Sequence, residues 1–298
     1  MAHKLRGRSS LAGILLVNLA TFTWATNMVL GRWLRADIGP LTLAAARFLI
    51  ASLIFALLLQ RRPADERRLG SDRWLLLAMA LSGVALFAPL LYLGLRFTTA
   101  VSATMINGFG PLLTGLLATL LFREPMSRRQ VVGALAGLVG IGILLFGSSA
   151  TSWLGFRLNL GDLAVVGAVT LWVLYSVLGR RVMQKRSALS ATAFSAFLGL
   201  PFLCLAAIWE LQHIKIHAVP RVIVALLYIG IFPTVIGFLS WNAGVRRLGA
   251  SGAMVFYNTL PLYGALLGTI LLQEPLGLYH LAGGLLIAGG GIWAARSR

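Results

Sequence analysis

One arginine in this 298-residue chain sits where a charge is hardest to keep. Arg47 lies inside "TLAAARFLIASLIF" (residues 42–55), an otherwise uncharged apolar run. A guanidinium facing lipid at such a site costs at least a few kcal/mol. It must snorkel outward, tie to backbone carbonyls at a helix end, or face an aqueous cavity. In a cavity its planar fork suits a carboxylate. The sequence leaves both the structural and the substrate-binding role open.

Other apolar runs carry polar and aromatic residues that could line such a cavity. Asn18, Thr21, Trp24 and Asn27 recur every three residues, and Asn107, Pro111 and Thr114 follow i, i+4, i+7, so each set shares a broad helical face. Trp172, Tyr175 and Ser176 form a third group, and Met254, Tyr257, Asn258 and Pro261 a fourth. Tyr92 and Trp241-Asn242 occupy corresponding places in the two halves. The expected substrate-binding set is Asn18, Trp24, Asn27, Arg47, Tyr92, Asn107, Trp172, Tyr175, Trp241, Asn242, Tyr257 and Asn258. Aromatic stripes also serve as packing or interface anchors. Pro89, Pro111, Pro233 and Pro261 interrupt apolar runs in pairs and are expected to act as hinges.

What is missing narrows the chemistry. Lys4, Lys185 and Lys215 all fall between apolar runs, which disfavours phosphate binding inside the membrane. None of the eight acidic residues falls near the centre of a run, so the buried carboxylate relay of proton-coupled transport is absent; Asp162, near one end, keeps coupling possible. Facilitated diffusion or exchange is the simpler expectation. Cys204 is the single cysteine, and His213 and His217 have a helical metal-pair spacing without a third ligand. No metal site, cofactor or enzymatic motif is expected.

The elements that must position these residues are membrane helices. The chain is 58% hydrophobic and 11% charged, with mean hydropathy +0.86, whereas soluble domains are about 25% charged. Ten stretches approach the twenty apolar residues that a bilayer requires: 11–31, 42–60, 74–95, 99–122, 130–147, 161–180, 190–209, 221–242, 250–272 and 278–295. The net charge of +18 belongs to the intervening segments and not to a nucleic-acid-binding stripe. With the N-terminus in the cytoplasm, Arg32, Arg35, Arg96, Arg157, Lys215 and Arg221 fall outside and Arg47 within a span; the other nineteen of the 26 basic residues fall inside. That bias places both termini in the cytoplasm.

The sequence also repeats. "PLLTGLLATLLFREP" (Pro111–Pro125) returns as "PLYGALLGTILLQEP" (Pro261–Pro275) after 150 residues, and Gly94, Gly133 and Gly140 return as Gly244, Gly283 and Gly290. "WATNMVLGR" (Trp24–Arg32) matches "WVLYSVLGR" (Trp172–Arg180) at a shift of 148, where Arg47 meets Ser195. Five spans per half is an odd number, so the second half must enter the membrane inverted. The expected fold is all-α and polytopic: ten transmembrane helices in two inverted-topology five-helix repeats, 11–147 and 161–295. Glu124 and Glu274, at the repeated Glu-Pro corners, are expected at opposite surfaces, each beside the N-terminus of the following helix. Gly133-xxx-Gly137 is a small-residue seam for helix packing, in a monomer or a homodimer.

These features resemble the drug/metabolite transporter superfamily, in particular its ten-helix EamA family. The resemblance rests on Trp24, "ARFLIASLIF" (Ala46–Phe55), Pro111 with "FREP" (Phe122–Pro125), "PLYGALLGTILLQEP", and the glycine-rich fifth and tenth spans. Within the family the chain is most similar to amino-acid and metabolite exporters, including the bacterial aromatic amino acid exporter. The resemblance implies a secondary transporter in a bacterial inner membrane that moves small neutral or zwitterionic metabolites, with amino acids including aromatic ones favoured. Its partners would be a small-molecule substrate and the lipid bilayer. The alternatives are a drug or toxic-metabolite extruder of the same fold and, more remotely, a non-transporting membrane scaffold.

Overall fold

The computed structural model describes residues 2–122, 127–147, 159–217 and 219–295. Glu124 and Pro125 of the first Glu-Pro corner, and Arg157, lie outside them. The described chain is helical throughout: α1 (Ala2–Trp33), α2 (Pro40–Gln60), α3 (Arg73–Ala80), α4 (Phe87–Phe97), α5 (Ala100–Asn107), α6 (Gly110–Phe122), α7 (Arg128–Gly147), α8 (Leu160–Val182), α9 (Ala188–Leu211), α10 (Pro220–Ile231), α11 (Gly237–Tyr257), α12 (Thr259–Leu272) and α13 (Leu278–Ala295). Among the described residues, six helical stretches are long and apolar enough to cross a membrane, and α12 and Leu278–Trp293 are shorter apolar helices.

Local sequence sets the helix starts. Pro40 opens α2 after extended Gly39, where a missing N–H costs nothing. Thr99 caps α5 by accepting from Ser102 N at 3.0 Å, and Asn159 caps α8 from Gly161 N at 2.8 Å. Lipid, unlike water, does not penalise the apolar stripes left outside. Leu11, Leu15, Leu19 and Phe22 on α1, Leu49, Leu53 and Leu57 on α2, and Leu262, Leu266 and Ile270 on α12 are all exposed at helical spacing.

Glycines bring the helices together in symmetry-related pairs. A Cβ on Gly140 would lie 2.7 Å from the Gly283 carbonyl oxygen, and one on Gly290 would lie 2.6 Å from that of Gly133. The first pair becomes the second under the shift of 150. Rising numbers on α7 meet falling numbers on α13, so these helices run antiparallel. Gly94 likewise abuts the Gly161 carbonyl on α8, while Gly244 abuts that of Gly13 on α1, again matching under shifts of 150 and 148. Such backbone approach is how helices gain contact area without a hydrophobic drive from water.

Irregularities also come in pairs. A π-helical turn at Leu81–Leu86 joins α3 to α4, and another at Phe232–Ile236 joins α10 to α11. Pro89 follows the first by three residues, and Pro233 lies within the second, where its missing N–H removes a helical bond. Helices α5 and α6 part at Gly108-Phe109, and α11 and α12 part at Asn258. Pro111 and Pro261 fall in the first turns of α6 and α12, so they start a helix segment where a donor is not needed.

One expected boundary differs. The spans ending at 242 and starting at 250 are joined in one continuous helix, α11. The first half does break there: Thr98 is extended and Thr99 supplies a cap. Leu248 and Gly249 stand at the matching positions and offer no capping hydroxyl.

Candidate functional site

The Trp24 indole donates Nε1–H to the Pro233 carbonyl at 3.0 Å, using an acceptor on the second π-turn. Around it gather Trp172 at 5.6 Å, Trp241 at 5.5 Å, Phe238 at 6.0 Å and Tyr257 at 6.1 Å between ring centroids. Trp172 in turn stacks on Tyr175 at 5.1 Å and meets Phe87 and Phe238, each at 5.2 Å. Trp24 and Trp172 are matching residues of the two halves, and they touch each other.

A cavity opens beside this cluster, lined by Trp24, Asn27, Met28, Arg47, Phe87, Leu91, Asn107, Trp172, Phe238, Tyr257 and Leu260.

Arg47 reaches this cavity from α2 while only 2% exposed. Its Nε–H donates to Thr234 Oγ1 at 2.6 Å, and its Nη1 donates to Tyr92 Oη at 3.1 Å. Thr234 donates onward to the Ile229 carbonyl at 2.8 Å, a five-residue span that the π-turn permits, and Tyr92 donates to Asn27 Oδ1 at 2.7 Å. Helices α1, α2 and α4 and the second π-turn thus hold one guanidinium. The tie to backbone carbonyls that the sequence allowed is not what forms. Side-chain hydroxyls hold the head group, and Nη2 makes no hydrogen bond to a described residue. In the second half Tyr175 lies beside Ser195 and Thr192. Tyr175 and Ser195 match Asn27 and Arg47, so that corner of the site carries no charge.

Of the twelve expected binding residues, Trp24, Asn27, Arg47, Asn107, Trp172 and Tyr257 line the cavity. Tyr92 and Tyr175 stand directly behind it, and Trp241 packs on Trp24 and Tyr257. Asn18 lies elsewhere, donating to the Ile14 carbonyl and accepting from Tyr263. Asn258 abuts Gly291 of α13, with its Oδ1 buried and unpartnered. Half-buried Asn242 is not in the lining. Met28, Phe87, Leu91, Phe238 and Leu260 complete the wall without having drawn attention in the sequence, because nothing polar marks them. Thr234, beside Pro233, could have been found from its matched interruption.

The buried acids among the described residues are occupied away from the cavity. Glu274 is buried, and its carboxylate accepts from Ala100 N and Val101 N at 3.1 Å each, with Arg32 Nε 3.6 Å away. It therefore serves the start of α5 in the other half. The expectation that it serves the N-terminus of the following helix, α13, is corrected. Left-handed Gln273 (φ 55°) ends α12 and turns Glu274 back; His280 Nδ1 accepts from Gly277 N instead. Glu210 does the same for α2, accepting from Leu41 N, Thr42 N and Thr42 Oγ1. Asp162 accepts from Thr98 Oγ1, and Asp37 pairs with Arg221 at 2.9 Å. At the other end of the bundle Asp72 holds Arg186 at 2.5 and 3.0 Å, and that guanidinium keeps its carboxyl below the usual carboxylate range.

Paired irregular helices around a buried aromatic cavity, with apolar stripes facing outward, define a polytopic helical membrane protein. The EamA-like transporter family matches residues 11–146 and again 159–295. The chain belongs to that family: it is a multi-pass membrane transporter of small molecules, not an enzyme. It is 26% identical to an uncharacterized transporter, YyaM, of Bacillus subtilis (strain 168), over 92% of this chain and 90% of the relative. It is 27% identical to an S-adenosylmethionine/S-adenosylhomocysteine transporter of Chlamydia trachomatis serovar L2, over 92% and 86% respectively. A solved crystal structure shares the fold with TM-score 0.65 at 24% identity, over 97% of this chain and 96% of the other.

Proposed function

We propose that this protein is a secondary transporter of small neutral or zwitterionic metabolites, foremost amino acids including aromatic ones, in a bacterial inner membrane. Ten spans in two inverted halves, with both termini cytoplasmic, would exchange access to one central cavity. The observation that carries the reading is the contact between matching Trp24 and Trp172 at the cavity wall. A site on the axis between two equivalent halves is one that either half can uncover. The antiparallel α7–α13 crossing supports the inversion. The paired breaks at Gly108-Phe109 and Asn258, with Pro111 and Pro261 just beyond, support bending there, and Pro89 and Pro233 do so at the π-turns.

The aromatic walls favour a solute with a flat apolar part. The relative that carries S-adenosylmethionine and S-adenosylhomocysteine points the same way, since both molecules join an amino-acid end to a flat ring system. Purified protein in liposomes, offered a panel of labelled amino acids with and without a pH gradient, tests the reading. Saturable uptake of aromatic amino acids is expected, without a requirement for the gradient. Failure of every amino acid, with movement of lipophilic drugs instead, would replace this reading with the extruder.

A further inference from the structure

We infer that the transported solute must carry a carboxylate, received by Arg47, and that its amino group is not read by the site. This rests on the transporter reading and redraws its substrate class as monocarboxylates with a flat apolar tail, zwitterionic or anionic. Amino acids are then one case of that class.

The argument is one of charge balance. Arg47 is 2% exposed and lines the cavity, yet no Asp or Glu is among the cavity residues. The buried acids are engaged elsewhere: Asp37 with Arg221, Asp162 with Thr98, Glu210 with the start of α2, and Glu274 with the start of α5 and Arg32. A buried cation without a counter-ion is strongly unfavourable, and an anion of the cargo is the group that can relieve it. Thr234 and Tyr92 take up Nε and Nη1 of an arginine that lines the cavity. They are positioning residues, and their hydroxyls add no charge.

The second half explains the direction of the cargo. Its matching corner holds Ser195 and Tyr175 in place of Arg47 and Asn27, and Trp172, Phe87 and Phe238 crowd beside it. Arg47 is thus the one charged group in the described lining, and the rest is aromatic, aliphatic or neutral polar. A substrate ammonium finds no carboxylate among the lining residues, so the site offers it no charged partner.

Competition binding to the purified full-length protein tests this with four probes of one shape: phenylalanine, 3-phenylpropionate, phenylalaninamide and phenethylamine. Phenylalanine and 3-phenylpropionate are expected to bind within a few-fold of each other. The amide and the amine should be at least ~10-fold weaker, the discrimination of one buried charge-assisted pair. Arg47→Gln should collapse that acid-over-amide ratio to near unity, an effect that loss of a merely structural arginine would not produce. Thr234→Val, which retains the charge, should reduce acid binding several-fold and spare the amide. Equal binding of acid and amide by the unaltered protein overturns the inference, as does preference for the amine, failure of both acids to bind, or an undiminished ratio in Arg47→Gln. Should Arg47→Gln fail to fold, the four-probe series and Thr234→Val still decide. Because binding is read apart from flux, acid-selective binding without transport would sink the carrier reading alone, and unselective transport would sink this one alone.

Discussion

Removing the Glu274 carboxylate should unfasten the start of α5, and the size of the effect can be worked from its bonds. Two backbone donors, Ala100 N and Val101 N, are satisfied by this side chain, and both residues are fully buried. Each orphaned buried donor costs about 1–3 kcal/mol. Glu274→Ala would leave both without a partner, for about 2–4 kcal/mol once water enters the vacated space. Glu274→Gln keeps an oxygen acceptor for one donor and loses the favourable charge at a helix N-terminus, itself worth about 0.3–2 kcal/mol. Its cost should fall near 1–2 kcal/mol. At about 1.4 kcal/mol per factor of ten, the glutamine variant raises local opening by roughly 5–30-fold. Hydrogen exchange of the peptide covering residues 98–107, in detergent or nanodiscs, reads this opening directly. Faster exchange there, graded Ala over Gln, with no change in residues 128–147, is expected. Wild-type exchange in Glu274→Ala would show that α5 is held by something else and refute the capping argument.

Further substitutions test other joints. Gly140→Ala and Gly283→Ala each drive a Cβ against the opposite backbone, so each should lower thermal stability by about 1–3 kcal/mol. Gly142→Ala, with nothing within 4 Å, should be neutral or raise stability by up to ~1 kcal/mol; both are read from unfolding midpoints. Trp172→Ala removes the hub of the aromatic wall, so half-saturation for aromatic substrates should rise at least ~10-fold in liposome uptake while small aliphatic ones change little. Asp72 has a folded-state pKa below its ordinary 3.8, so its contribution is full above that value and is lost as pH falls through the lowered one. Unfolding midpoints across pH 2–6 should therefore drop less steeply for Arg186→Gln than for the unaltered protein.

Much of the architecture was legible because membrane packing writes on small residues. The glycines that repeat at 150 residues are the ones whose backbones meet in α7 and α13, and the repeated tryptophans meet at the cavity wall. Arg47 announced itself as the one charge well inside an expected span, away from its ends. The rest was hidden for physical reasons. Phe87, Phe238 and Leu91 are as apolar as residues facing lipid, so composition cannot separate wall from exterior. Glu274 sits at a helix end where exposure is the ordinary outcome, and its true partner is 174 residues away. The missing break near residue 249 goes with the replacement of Thr98-Thr99 by Leu248-Gly249, which removes the capping hydroxyl in a stretch where the two copies have diverged. Asn18 shares its helix face with Trp24 and Asn27 but meets Tyr263 two turns from the cavity.

Counterflow in proteoliposomes tests the central claim most directly. Vesicles preloaded with unlabelled phenylalanine are placed in a trace of labelled phenylalanine, with no ion gradient. A carrier that presents one cavity alternately to each side will accumulate label transiently above equilibrium, and the overshoot will vanish when internal phenylalanine is omitted. Uptake that rises linearly with concentration and shows no overshoot would mean an open path through the bundle and would contradict the account.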